Sequence, residues 1–148
     1  MEGLATFRAT SEGMVEQVAD RVHTTEAALR IDVVALFPET ITAALAASIP
    51  ARAIERGLAT LVAHDLRTWG LGKHRAVDDA PYGGGAGMLL RPEPLVAAIE
   101  ALRTEESTVI LLDAGGERLR QERARDLATR RHLIILCGRY EGVDDRVR

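Results

Sequence analysis

The sequence is poor in two residue types that often build functional sites. Its 148 residues include one cysteine, Cys137, and aromatic side chains make up only 3% of the chain. A single cysteine excludes an internal disulfide framework and a cysteine-rich zinc site, and it favours a reducing cytoplasm. Because aromatic residues are scarce, we expect a core of leucine, isoleucine, valine and alanine.

Strong charge of one sign and long apolar runs are also lacking. Nineteen basic and 22 acidic residues give a formal net charge of −3, which excludes nucleic-acid binding by bulk charge alone. The net charge is still compatible with a local basic surface that binds nucleic acid. No apolar run approaches the ~18 residues of a membrane span, and we find no signal segment, so no membrane partner is expected.

Composition and patterning predict an α/β protein. Hydrophobic residues make up 47% and charged residues 28%, as in globular domains. Apolar, β-branched runs predict strands at residues 31–37, 58–66, 108–112 and 132–137. Helices are predicted at 38–56 with an interruption at Pro50, at 92–102, at 119–131 and from 143 onward. Strands without polar alternation, separated by helices, indicate a parallel sheet flanked by helices on both faces.

The chain divides into two parts. Residues 1–30 differ in rhythm from the rest and carry only a short amphipathic pattern between Val15 and Val22. We interpret them as an N-terminal extension without chemistry of its own. Residues 31–148 form the predicted domain.

Glycine follows two of the predicted strands. Asp113–Gly116 comes after the third strand and Gly138–Gly142 after the fourth. In open parallel sheets, ligands bind outside the carboxyl ends of the strands, and glycine lets the backbone approach a ligand closely. Two ordinary strand-to-helix turns would give the same pattern, so the residues alone leave both readings open.

A third glycine-rich segment, Pro81–Met88, matches neither phosphate-binding motif. A P-loop needs Gly-Lys-Ser/Thr, but Gly87 precedes methionine, and a dinucleotide fingerprint fails because Leu90 replaces its third glycine. What remains is a segment with exposed backbone that is able to wrap around a substrate. It ends a long segment, Thr68–Met88, that is poor in apolar periodicity, and a loop of that length inside a compact domain is usually functional or disordered.

Charged residues near this loop allow several hypotheses. Lys73, His74 and Arg75 form a basic tip suited to phosphates, and Asp78 and Asp79 follow it. A solvated loop with local ion pairs explains the same residues.

The remaining histidines, arginines and the cysteine carry weaker signals. A zinc site that includes His64 lacks metal-ligand spacing. His132 is interpreted as a bystander, and Cys137 as a core residue rather than a nucleophile. Arginines between 118 and 131 suit either an exposed helix, with pairs such as Asp126 and Arg130, or an RNA-binding face.

Three segments together resemble one family. IDVVALFPE at 31–39, KHRAVDDAPYGGGAGM at 73–88 and ILCGRYEGVDDRV at 135–147 occur in this order. They closely resemble the bacterial tRNA (guanosine-37-N1)-methyltransferases of the TrmD type, which belong to the knotted SPOUT superfamily. The resemblance runs from about Ile31 to Arg148.

The resemblance implies S-adenosylmethionine as methyl donor, the guanosine 3′ of the tRNA anticodon as acceptor, and a homodimer. The implied cofactor-binding residues lie in two loops: Leu111, Leu112, Asp113, Gly115, Gly138, Arg139, Tyr140, Glu141 and Gly142. The implied substrate-binding residues are His74, Arg75, Asp78, Gly83, Gly84, Gly85 and Gly87. No metal is implied.

The family's third cofactor loop, general base, catalytic arginine and tRNA-binding domain map beyond Arg148. We therefore expect this chain alone to have no catalytic residue of the family, an incomplete knot and no turnover. The alternatives are a non-catalytic fragment that binds RNA or competes for the dimer interface, and a generic nucleotide-binding domain.

Overall fold

The computed structural model of the chain describes residues 28–81 and 83–147. The amphipathic pattern between Val15 and Val22 lies outside these residues. Within them, no helix is long and apolar enough to cross a membrane.

A four-stranded parallel sheet forms the centre of the fold, which confirms the predicted α/β class. Its strands are β1 (Leu29–Ala35), β2 (Ala59–Asp65), β5 (Ser107–Leu112) and β6 (His132–Cys137), in the order β2-β1-β6-β5. A separate antiparallel pair, β3 (Asp78–Asp79) and β4 (Leu89–Leu90), flanks the glycine-rich loop. All four strands predicted for the main sheet are present, with ends shifted by up to two residues.

Helices lie on both faces of the sheet. They are α1 (Pro38–Leu45), α2 (Ser48–Glu55), α3 (Pro92–Leu102) and α4 (Gln121–Ala128), with 3₁₀ turns at Leu66–Trp69 and Asp145–Val147. Parallel strands are joined by right-handed crossovers. Across the strand order of the sheet, the chain moves in one direction from β1 to β2 and from β5 to β6. It moves in the opposite direction from β2 to β5. This places α3 on one face and the other helices on the opposite face.

The sequence analysis placed one helix boundary incorrectly and one correctly. Pro50 does not interrupt the first helix: the break lies at Ala46–Ala47, and Pro50 is the third residue of α2. A proline in the first turn of a helix loses no hydrogen bond, because the N–H there has no partner inside the helix. The stop at Gly57 is confirmed, since this residue has φ +69° directly after the helix cap.

The two C-terminal helices are shorter than predicted. α4 covers residues 121–128 instead of 119–131, and a single 3₁₀ turn replaces the helix expected from residue 143. The Thr129 hydroxyl donates to the Asp126 carbonyl, which satisfies a carbonyl at the helix end.

The core lies between the sheet and α3. Val34, Ile134 and Leu136 point from the central strands toward Leu95 and Ala98 of α3, and all five are almost inaccessible to solvent. Leu66, Val77, Leu90 and Val143 extend this cluster toward the carboxyl ends of the strands. The loops at that edge therefore rest on a rigid apolar layer.

A polar network crosses the whole sheet on the same face as this core. Asp32 of β1 is fully buried, and its carboxylate oxygens lie 2.7 Å from Nε2 of His64 on β2 and 2.7 Å from Nε2 of His132 on β6. His132 Nδ1 lies 2.6 Å from Ser107 Oγ on β5. His132 is thus no bystander. It joins β5 to the centre of the sheet.

The chemistry of a carboxylate fixes the proton positions in this network. Burial raises the pKa of the Asp32 carboxyl, but hydrogen bonds from the two imidazoles and from Arg30 outweigh it, so the pKa is lowered from its ordinary value of 3.8. An ionised carboxylate only accepts hydrogen bonds, so both Nε2 atoms donate. No buried side-chain nitrogen or oxygen of the described residues is left without a partner.

The network predicts a loss of stability in acid. A lowered pKa in the folded state contributes stability above the unfolded pKa of 3.8, and this contribution disappears as the pH falls toward the folded pKa. We expect the urea unfolding free energies of the wild type and of Asp32→Asn to converge below pH 3.8. A gap between the two that stays constant from pH 5 to pH 2.5 would contradict this assignment.

Candidate functional site

The loops that follow the four main strands meet at one edge of the sheet. They begin at Leu36 after β1, Leu66 after β2, Asp113 after β5 and Gly138 after β6. Strand ends are the usual ligand-binding edge of an open parallel sheet. The described residues of both predicted binding regions lie on these loops, at the end of β5, or on the β3–β4 segment beside them.

The two predicted cofactor loops are neighbours. Leu112 pairs with Cys137 at the ends of β5 and β6, which places the loops that follow them side by side. A Cβ atom added to Gly138 would lie 3.2 Å from the Leu112 carbonyl oxygen, tighter than an ordinary contact. A side chain here would require the two strand ends to move apart by a few tenths of an ångström.

Each loop has a distinct local conformation. The Asp113 carboxylate accepts a hydrogen bond from the Gly115 N–H at 2.8 Å, which closes a tight turn. In the second loop Tyr140 has φ +61° and Gly142 has φ +121°. This backbone leaves the Tyr140 ring half exposed at the rim of the edge.

The glycine-rich loop is docked onto the second cofactor loop by backbone hydrogen bonds. The Glu141 N–H donates to the Met88 carbonyl, Leu90 N–H to the Gly142 carbonyl and Asp144 N–H to the Leu90 carbonyl, at 3.0–3.1 Å. Gly87 has φ +95°, and a Cβ atom there would collide with the Glu141 side chain. The regions predicted for cofactor and for substrate thus form one continuous surface.

The other predicted substrate residues lie on the segment that leads into this loop. His74 and Arg75 occupy the exposed tip of the turn between Leu71 and Ala76, and neither makes an ion pair within residues 28–81 and 83–147. Asp78 pairs with Leu90 in the β3–β4 hairpin. Gly83, Gly84 and Gly85 follow with positive φ angles and open space where a Cβ would stand.

A cleft of about 320 Å³ separates this hairpin from the last 3₁₀ turn, and Asp79, Arg91, Asp144 and Arg146 line its rim. Arg146 donates two side-chain hydrogen bonds to Asp144, at 2.9 and 2.8 Å. These bonds, with one from the Arg146 N–H, lower the pKa of the Asp144 carboxyl to about 2. Asp144 is therefore ionised at neutral pH and is a weaker base than an ordinary aspartate.

An aromatic and basic cluster at the same edge escaped the sequence analysis. The guanidinium carbons of Arg67 and Arg139 lie 5.4 and 5.1 Å from the centre of the Phe37 ring. The three residues are far apart in the sequence, and each alone resembles an ordinary surface residue. The signal that could have found them is their common place directly after three strands.

The structure also bears on three weaker sequence hypotheses. Burial raises the pKa of the Cys137 thiol, which disfavours the thiolate and agrees with a core role. No group of three histidine, cysteine or carboxylate residues in the described part of the chain is arranged to hold a metal ion. In the arginine-rich segment, Asp126 pairs with Arg123 and Arg130 as on a plain exposed helix.

Comparison with known proteins gives a consistent result. A family model described as tRNA (Guanine-1)-methyltransferase TrmD matches residues 29–148. A tRNA (guanine-N(1)-)-methyltransferase of Dictyoglomus turgidum is 47% identical over 120 residues, covering 81% of this chain and 49% of that protein.

Proteins of the same name from Chloroflexus aggregans and Dehalococcoides mccartyi are 48% and 50% identical over 123 residues. Each match covers 81% of this chain, and 48% and 50% of the two relatives. The chain thus spans about half the length of the curated relatives that it matches.

Proposed function

Because this chain belongs to the tRNA (guanine-1)-methyltransferase family, we propose that it binds S-adenosylmethionine and tRNA for methylation of guanine at N1. The observation that carries the proposal is the docking of the end of the glycine-rich segment, at Met88 and Leu90, onto the loop Gly138–Gly142 by two backbone hydrogen bonds. This contact joins the two regions that the reaction needs, one for a methyl donor and one for the nucleotide that accepts the methyl group.

The residues at the strand ends suit the proposed donor. Gly138 and Gly142 lack side chains where the backbone turns most sharply, and the exposed Leu112 and Tyr140 beside them offer apolar surface to a nucleoside. When bound, S-adenosylmethionine supplies an activated methyl group on a sulfonium centre. The chain's part is to fix the donor and exclude water from it.

Each loop then has a defined task. Leu111, Leu112, Asp113 and Gly115 form one wall of the proposed donor site, and the backbone from Gly138 to Gly142 forms the other. Gly83–Gly87 lies over the second wall through Met88 and Leu90 and offers exposed backbone to the acceptor nucleotide. His74 and Arg75 reach into solvent from the neighbouring turn, where an RNA phosphate is accessible to them.

The finer points of the proposal come from the sequence resemblance. They are guanosine 37 as the acceptor, a methyltransferase domain over residues 31–148 with the knotted SPOUT topology, a homodimer and a cytoplasmic location. The exposed side chain of Leu119 supports the homodimer, because a protein–protein interface would cover it. Light scattering on the purified chain tests the dimer, and a monomer at all concentrations would contradict it.

We expect the purified chain to bind S-adenosylmethionine with a 1:1 stoichiometry per subunit in isothermal titration calorimetry. We also expect it to protect the anticodon loop of an unmodified tRNA transcript from nuclease, most strongly next to guanosine 37. A transcript with adenosine at position 37 is the matched control and should be protected less.

Different outcomes separate this function from its rival. Protection of tRNA without any donor binding would favour a non-catalytic RNA-binding role. Donor binding without protection of the anticodon loop would contradict the proposed substrate. Tritiated methyl incorporation into the same transcripts, measured in parallel, reports whether the described site suffices for transfer.

A further inference from the structure

Phe37, Arg67 and Arg139 owe their proximity to the strand order. Phe37 follows β1, whereas Arg67 follows β2 and Arg139 follows β6, the two strands that flank β1 in the sheet. The two guanidinium groups therefore reach the same ring from neighbouring strands. A cation within about 6 Å of an aromatic centre is attracted to the ring, and both arginines meet this condition.

Hydrogen bonds hold the backbone of Phe37 and the side chain of one of the arginines. The Phe37 carbonyl accepts hydrogen bonds from the N–H and the hydroxyl of Thr40 in the first turn of α1. Arg67 Nη1 donates to the Leu36 carbonyl at 2.7 Å and lies 3.6 Å from Asp65. The Arg67 guanidinium is thus held by the Leu36 carbonyl through Nη1, and its central carbon lies over the Phe37 ring.

Both arginines keep unused hydrogen-bond donors. A guanidinium carries five N–H donors, and among the described residues Arg67 uses only Nη1. The Arg139 side chain makes no hydrogen bond or ion pair within the described part of the chain, and it is exposed. Among the described residues, the contact of Arg67 with Asp65 is the one ion pair that these two arginines make, so the cluster keeps free, planar donors.

We infer that Arg67 and Arg139, positioned by the Phe37 ring, bind a phosphodiester group of the RNA substrate. Planar guanidinium groups suit phosphate oxygens, because two parallel N–H bonds match two oxygens. Contact with the ring leaves the two guanidinium groups largely hydrated and limits the rotation of their side chains. Phosphate binding therefore loses less side-chain entropy. This inference rests on the proposed function, since it takes tRNA as the substrate.

The test measures the affinity of an unmodified tRNA transcript by fluorescence anisotropy at several salt concentrations. Arg67→Gln and Arg139→Gln should each weaken binding several-fold and reduce the slope of log affinity against log salt by about 1. Arg52→Gln is the matched control, because Arg52 is an exposed arginine on α2, and it should leave the slope unchanged.

Phe37 is tested as a positioning residue. Phe37→Leu keeps an apolar side chain but removes the aromatic face, and it should weaken tRNA binding, whereas Phe37→Tyr should restore wild-type affinity. If the ring had a purely structural role, Phe37→Leu would instead lower the free energy of unfolding in urea and the free energy of tRNA binding to the same extent. Unchanged affinity and slope in both arginine variants, with donor binding intact, would overturn the inference and leave the proposed function standing.

The donor offers a competing anion, its carboxylate. The variants are therefore also titrated with S-adenosylmethionine in the absence of RNA. A loss of donor affinity that parallels the loss of tRNA affinity would assign the arginines to the donor and overturn the inference. If the wild type binds tRNA with the predicted arginine dependence but binds no donor, the proposed methyltransferase function fails and the phosphate site stands.

Discussion

Replacing Asp32 with asparagine should lower the free energy of unfolding by about 3 kcal/mol or more, because it breaks a buried ionic network. The carboxylate accepts hydrogen bonds from His64, His132 and Arg30 and is inaccessible to solvent. Asparagine carries no charge and offers one acceptor oxygen and one donor nitrogen, so the ion pair with Arg30 is lost and one imidazole must move its Nε2 proton to accept from the amide. Since the free energy of unfolding of a small domain is roughly 5–15 kcal/mol, this loss would be a large part of the total stability.

Urea unfolding at neutral pH measures this effect, with Asp126→Asn as the control. Asp126 also accepts from two basic side chains, Arg123 and Arg130, but on the surface of α4. Exposed pairs of this kind contribute about 0–1 kcal/mol. If Asp32→Asn were as mild as Asp126→Asn, the network would be a minor part of the stability of the sheet.

Replacing Gly142 with valine should weaken S-adenosylmethionine binding by about tenfold or more. Gly142 has φ +121°, which a β-branched residue avoids, and strain of this kind costs about 1–3 kcal/mol. Its carbonyl accepts from Leu90 and its N–H donates to the Arg139 carbonyl, so relieving the strain moves the loop. Each 1.4 kcal/mol of lost binding energy is about a factor of ten in affinity.

Gly57→Val provides a matched control for this prediction. Gly57 also has a positive φ, +69°, with open space around it, but it precedes β2 at the opposite edge of the sheet. It should destabilise the protein without changing the calorimetric affinity for the donor. Equal losses of affinity in both variants would point to global destabilisation, and full affinity in Gly142→Val would exclude this loop from the donor site.

The site was partly predictable because some of its requirements are local. The glycines at Gly83–Gly87 and Gly142 report positive φ angles, and a positive φ is a property of one residue that its identity reveals. The docking of one loop on the other was not predictable from pattern. It depends on backbone groups of Met88, Leu90 and Glu141, and every residue type carries those groups.

The partners of buried polar groups, like the docking of the loops, were not predictable from local sequence patterns. His132 stands at the start of an apolar strand, where its sequence context indicates nothing about a partner 100 residues away. The register of β6 against β1 places it diagonally from Asp32, and a shift by one residue would turn it to the other face. The sequence analysis missed the role of His132 because its contact with Asp32 arises only from strand order and register.

The sequence by itself determined the α/β class, the approximate strand positions and the glycine turns. Apolar runs and backbone conformations act over a few residues, so their signals are local. Only the tertiary structure decided that Asp32 links all four strands through His64, His132 and Ser107, and that two arginines share one ring. These contacts follow from the order β2-β1-β6-β5, which brings distant segments together and which no local pattern encodes.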